Sequence, residues 1–134
     1  MAFLNRETGE VCFADGFTLS SGLAVGEAAE LLEGAMDGVV RLPSHAVSGG
    51  RLIPILTVEH GVVHSIALCI SSIASKEPGS TEKQRSFLFS RLGLRDPAQS
   101  PFETVTVRCP FGELSISADL HTGRAEAHII YAVR

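Results

Sequence analysis

From Phe102 to Val133 the chain alternates between apolar and polar residues, and breaks the alternation twice, at Cys109-Pro110-Phe111-Gly112 and at His121-Thr122-Gly123. Leu114, Ile116, Ala118 and Leu120 fall on one side of a pleat, and Glu113, Ser115, Ser117 and Asp119 on the other. A period of two over such a stretch requires strands with one buried and one wet face, joined by tight turns. This restricts the chain to antiparallel-sheet architectures.

The rest of the chain fills in around this meander. Phe3-Leu4-Asn5 and Val11-Cys12-Phe13 read as short strands, with Gly9 available for the loop between them. Asp15-Gly16 is a second turn, leading to Phe17-Thr18-Leu19. A first helix is expected over 24–35, capped by Ser20 or Ser21, with Glu27, Glu30 and Glu33 in one stripe and Ala28, Leu31, Leu32 and Ala35 opposite. Val39 to Leu42 reads as a strand ending at Pro43, with His45 to Val47 continuing it after a kink. Arg51 to Glu59 carries Pro54, so it is expected at an edge or at a bulge. His60-Gly61 is a hairpin loop and Val62 to Ile70 the returning strand. Its two faces, Val62, His64, Ile66, Leu68, Ile70 and Val63, Ser65, Ala67, Cys69, are both mostly apolar or small, which predicts a central strand. Ser71 to Ser80 is expected as a loop. Thr81-x-x-Gln84 is a capping-box pattern, with Ser80 as the alternative cap, and opens a second helix that Gly93 closes. Together these predict one α+β domain over 1–134: a two-layer, mainly antiparallel sheet of six or seven strands with about two helices on one face.

Composition narrows the function. Only 19% of residues are charged and the net charge is −4, with no basic block. A nucleic-acid partner would need a concentrated basic footprint, and the absence of Trp with a single Tyr gives no base-stacking platform. The mean hydropathy is positive, +0.24. With so few charges this implies either a sheet covered on both faces or an apolar contact surface, most simply a homodimer. Cys12, Cys69 and Cys109 are odd in number and far apart, which argues against a disulfide framework. No signal-peptide pattern stands at the amino terminus and no apolar run is long enough for a bilayer, so a cytoplasmic location is expected, without membrane contact.

Few residues suggest chemistry. His60 and His64 are spaced as zinc ligands on a helix, but on a strand they stand about 13 Å apart. No metal site and no cofactor is expected. Asp119, His121 and His128 are the weak catalytic candidates. A carboxylate beside an imidazole can orient it as a general base, and Glu126 shares the polar face with His128. Asp119 and Arg124 are expected as a cross-strand ion pair. Ser71, Ser72 and Ser75 beside Lys76 lack the Ser-x-x-Lys spacing, and neither a nucleophile elbow nor a phosphate loop occurs.

Three stretches together resemble small uncharacterised bacterial cytosolic proteins, some of them immunity proteins encoded beside secreted toxins. They are Phe13 to Leu19 followed by Gly22-Leu23, Thr81 to Arg85 running to Leu92-Gly93, and Pro110 to Glu113 with Asp119 to Gly123 and Ile129-Ile130-Tyr131. The lack of active-site motifs, the low surface charge and the acidic stripe of Glu27, Glu30 and Glu33 lead to the expectation of a non-catalytic protein-binding module, self-associating or toxin-neutralising, whose carboxylates would face a basic toxin. The alternatives are a small ligand-binding domain or enzyme with a pocket between sheet and helices, and a structural subunit that pairs through 102–134.

Overall fold

The computed structural model describes residues 3–20, 38–59, 62–74, 76–77, 79–96 and 100–132. Strands β1 (Val11–Cys12) and β2 (Thr18–Leu19) form a two-stranded sheet. Seven strands form the main sheet: β3 (Gly38–Arg41), β4 (His45–Val47), β5 (Gly50–Glu59), β6 (Val62–Ile73), β7 (Val105–Cys109), β8 (Gly112–Ala118) and β9 (Ala125–Tyr131). Their order is β3-β5-β6-β9-β8-β7, all antiparallel, with β4 beside β3 on the same flank of β5. One helix, α1 (Thr81–Leu92), lies among the described residues. The α+β class and the antiparallel sheet are as the sequence predicts. The helix expected over 24–35, with Glu27, Glu30 and Glu33, lies outside the described residues, as does the His60-Gly61 loop.

The core follows from pleat and register. Leu52, Leu56, Ile66, Leu68, Leu114, Ile116, Ala127 and Ile129 project to one side and are fully buried. Leu88, Phe89 and Leu92 of α1 and Leu4, Val11, Phe13 and Leu19 of the amino-terminal hairpins complete the same cluster. Each such large aliphatic side chain stabilises the fold by roughly 1.5–3 kcal/mol relative to exposure. Tyr131 joins the two ends: its hydroxyl donates to the Gly9 carbonyl at 2.7 Å. Gly9 is at φ +78°, and a Cβ there would come within 2.5 Å of the Tyr131 ring.

Three local expectations are revised. Pro54 is in an interior strand, with β3 and β4 on one side and β6 on the other. It is tolerated because it falls where β3 gives way to β4. Its carbonyl accepts from Leu42 N–H at 3.0 Å, and its missing N–H faces the same gap. The register of β5 against β6 shifts between Thr57 and Val58, leaving His64 as the extra residue. That bulge reverses the pleat, so Val63 is buried with Ile66 and Leu68 instead of sharing a face with Ser65 and Ala67. A second shift, between Arg51 and Leu52, lets β6 run on to a buried Ile73 where a loop was expected.

The helix ends are built as their residues dictate. Ser80 is the N-cap and accepts from Lys83 N–H at 3.2 Å, and Gly93 closes the helix at φ +70°. Thr81 instead donates to the Gly123 carbonyl at 2.7 Å. Gln84 ties helix to sheet: it accepts from Ala125 N–H and donates to the Gly79 carbonyl.

Candidate functional site

The other side of the main sheet carries Ile53, Ile55 and Thr57 on β5, Ala67 and Cys69 on β6, Glu126, His128 and Ile130 on β9, and Ser115 and Ser117 on β8. These side chains are half-buried, and Val39, in line with them on β3, is 69% exposed. The described parts of the chain that pack on the sheet, α1 and the amino-terminal hairpins, contribute to the opposite, core side.

A polar row crosses this face. The register sets Cys69 beside Glu126 and Ala67 beside His128. The Cys69 thiol donates to Glu126 Oε1 at 3.5 Å, and His128 Nε2 stands 3.3 Å from Glu126 Oε2. The carboxylate thus separates the sulfur from the imidazole, and the imidazole does not meet the thiol through this pair. Burial pushes the Cys69 thiol up to about 11, reinforced by the charge and hydrogen bond of Glu126 and only partly offset by Arg41 and Arg124. A nucleophilic cysteine needs the opposite environment. In a Cys12→Ser, Cys109→Ser background, iodoacetamide is expected to alkylate Cys69 at pH 7.5 a few hundred-fold more slowly than an ordinary thiol of pKa about 8.5. The rate should rise with a midpoint near pH 11. A midpoint near 8 would show that neither burial nor Glu126 raises this thiol.

The catalytic candidates from the sequence divide. Asp119 and His121 sit at the β8–β9 turn, whereas His128 is on β9 opposite Ser115, three residue pairs from the turn's end, roughly 10 Å along the strands. Asp119 Oδ1 accepts from His121 N–H at 2.7 Å and from Thr122 N–H at 3.2 Å. These two bonds hold its carboxyl below the usual range. It is a turn-forming side chain. Asp119 and Arg124 are neighbours across the turn, joined by Asp119 N–H to the Arg124 carbonyl at 3.0 Å rather than by an ion pair between their side chains. The structure does bring Glu126 and His128 together, as the shared polar face predicts. Among the described residues no three His, Cys, Asp or Glu side chains are placed to hold a metal ion. No described helix is long and apolar enough to cross a membrane.

Two further arrangements were not legible in the sequence. His45 Nδ1 meets Asp15 Oδ2 at 2.7 Å, and its ring stacks on Phe17 at 4.1 Å with Phe13 at 5.3 Å. His45 Nε2 is buried without a hydrogen-bond partner. Partial burial works to raise the Asp15 carboxyl, but the bonds from His45 and Phe17 N–H outweigh it and hold the group below its ordinary value. A carboxyl depressed in the folded state stabilises above its unfolded pKa, and that stabilisation is lost as pH falls through the folded value. Asp15→Asn is therefore expected to cost up to about 1 kcal/mol at pH 7, the range of a largely exposed pair. The gap from wild type should close below about pH 4, as followed by urea unfolding. A gap unchanged at pH 3 would show that the carboxylate charge plays no part. The second arrangement is a groove of about 700 Å³ between the amino-terminal hairpins and the carboxyl end of α1, lined by Phe3, Cys12, Phe13, Val47, Arg91 and Leu92 among others.

No protein-family model, curated protein or solved structure matches this chain.

Proposed function

We propose that this chain is a non-catalytic protein-binding module, immunity-like in kind, that meets its partner through the side of the seven-stranded sheet opposite the described helix and hairpins. One observation supports the reading above the others. That side places Val39, Ile53, Ile55 and Ile130 around a row of Ser115, Ser117, Glu126 and His128, while the described helix and hairpins pack on the opposite side. Aliphatic anchors mixed with mutually paired polar groups are what the centre of a protein interface is made of. The raised Cys69 thiol and the separation of His128 from Asp119 and His121 favour binding over covalent or acid–base chemistry. The net charge of −4 and the carboxylates Glu27, Glu30 and Glu33, which lie outside the described residues, suit a basic partner such as a nucleic-acid-cleaving toxin.

The test is affinity capture from an extract of the source organism, followed by calorimetry with the purified partner. Ile55→Glu, at a half-buried position on that side, should weaken binding by at least about tenfold, the 1.4 kcal/mol expected of one interface anchor. Its circular dichroism should stay unchanged. Undiminished binding by Ile55→Glu would reject this surface, and failure to retain any protein would reject the function.

A second reading, a small-ligand domain, is favoured by the groove beside α1, whose volume is in the range of small-molecule sites. Arg91 Nε is buried there without a partner. Native mass spectrometry of protein purified without denaturation would reveal a retained ligand.

A further inference from the structure

Among the described residues strand β7 is the last of its sheet and pairs only with β8. The pair Cys109 and Gly112 flanks a two-residue turn, Pro110-Phe111, so these two residues exchange backbone hydrogen bonds. By alternation Val107 and Val105 also turn their N–H and C=O groups toward β8, and Thr106 and Arg108 turn theirs outward. No hydrogen bond from elsewhere in the described chain reaches those outward groups. Of the usual guards the edge carries one charged side chain, Arg108, and no proline, glycine or bulge. Its core-side residues, Val105, Val107 and Cys109, pack against the core cluster but are only partly covered.

We propose that two copies of this chain join edge to edge through β7, antiparallel about a two-fold axis at Val107. The register follows from the strand itself. Hydrogen bonding requires the outward residues to face one another, and only the pairing of Thr106 with the partner's Arg108 uses all five residues of the strand. In that register Val107 faces its own copy and Val105 faces the partner's Cys109, so each half-covered apolar residue meets an apolar mate. Moving the axis to Arg108 would set two guanidinium groups opposite each other. Moving it to Thr106 would leave Cys109 without its apolar mate. Arg108 carries its own counter-charge, with Nε 3.8 Å from Glu113 Oε1, which lessens repulsion between the two copies. The contact is isologous and closes after two chains. It uses a different surface from the proposed partner-binding face, and does not depend on what that face binds.

The register makes a sharp test. Val105 and the partner's Cys109 form a non-hydrogen-bonded pair, with Cα atoms about 4.5 Å apart, within disulfide range. V105C under mild oxidation should give a species of twice the 14.2 kDa chain on a non-reducing gel. V105C/C109S should not, because the two copies of residue 105 are offset by four residues along the strands, roughly 13 Å. Wild type should be dimeric by light scattering across a concentration series. Thr106→Pro, which removes an outward N–H and none of the β7–β8 bonds, should be monomeric with an unchanged circular dichroism spectrum. A wild-type monomer at every concentration overturns the proposal and leaves the edge to an extended segment of another protein. A dimer that survives in folded Thr106→Pro, or cross-linking of V105C that persists without Cys109, overturns it equally. If Thr106→Pro does not fold, the V105C pair decides alone.

Discussion

Replacing Arg85 by alanine is expected to remove about 2–3 kcal/mol of stability, because the carbonyls of Pro101 and Glu103 lose their donor, while Asp96, 31% exposed, is not left as a fully buried charge. For a chain of this length that corresponds to a fall in Tm of roughly 6–15 °C. Arg85 is 2% exposed although it is on a helix. Its Nε donates to Asp96 Oδ2 at 2.7 Å and its Nη2 to Asp96 Oδ1 at 3.3 Å. Its Nη1 donates to the carbonyls of Pro101 and Glu103. The guanidinium plane also stands over the Phe89 ring at 5.3 Å. One planar group thus fixes both ends of the segment that leads from α1 to β7. Lysine keeps the charge but not the fork, so Arg85→Lys should recover only a minor part of the loss. Urea unfolding of the two variants checks this. A loss below about 1 kcal/mol for Arg85→Ala would mean that the segment is held by other contacts.

Gly112→Ala should cost about 3 kcal/mol, a strained backbone together with a disturbed sheet bond. Gly112 is at φ +149°, and a Cβ there would lie 2.0 Å from the Ile130 carbonyl oxygen and 2.8 Å from Ala132 N. Both atoms are backbone, so no rotamer change relieves the clash, and β8 must move away from β9. Gly16→Ala is the matched control. Gly16 has φ +90° with nothing within 4 Å of the added carbon, so it should cost only the strained dihedral, about 1 kcal/mol. Thermal unfolding of both variants separates the clash from the dihedral. Equal losses would show that the approach of Ile130 is not limiting.

How far the sequence was legible depends on the range of the interaction. The β8–β9 hairpin and the Gly93 stop rest on residues a few positions apart and stand where the pattern puts them, but the cap falls on Ser80, the alternative to Thr81, and Leu120 lies in the turn, 76% exposed, rather than on the buried face. Glu126 beside His128 was legible for the same reason, since i and i+2 share a strand face. The face of Val63 was not, because the bulge at His64 is set by pairing with β5 and leaves no mark in the local alternation. Arg85 reads as a solvated helical residue until Asp96 and the carbonyls of Pro101 and Glu103 surround it. Cys69 with Glu126 and Asp15 with His45 are 57 and 30 residues apart, and only the strand register and the packing of the hairpins decide that they touch.

The strand order has a consequence for synthesis. β9, the strand made after all the others of its sheet, occupies an interior position between β6 and β8. A ribosome delivers the chain amino end first, so the β5–β6 and β7–β8 hairpins emerge before the strand that unites them. Until it arrives, each exposes a raw edge and half a core. Pairings at such sequence distance are slow to form and prone to misassociation. A nascent chain halted before residue 125 would hold two separate pieces, β3 and β4 with β5–β6 in one and the β7–β8 hairpin in the other, rather than one sheet.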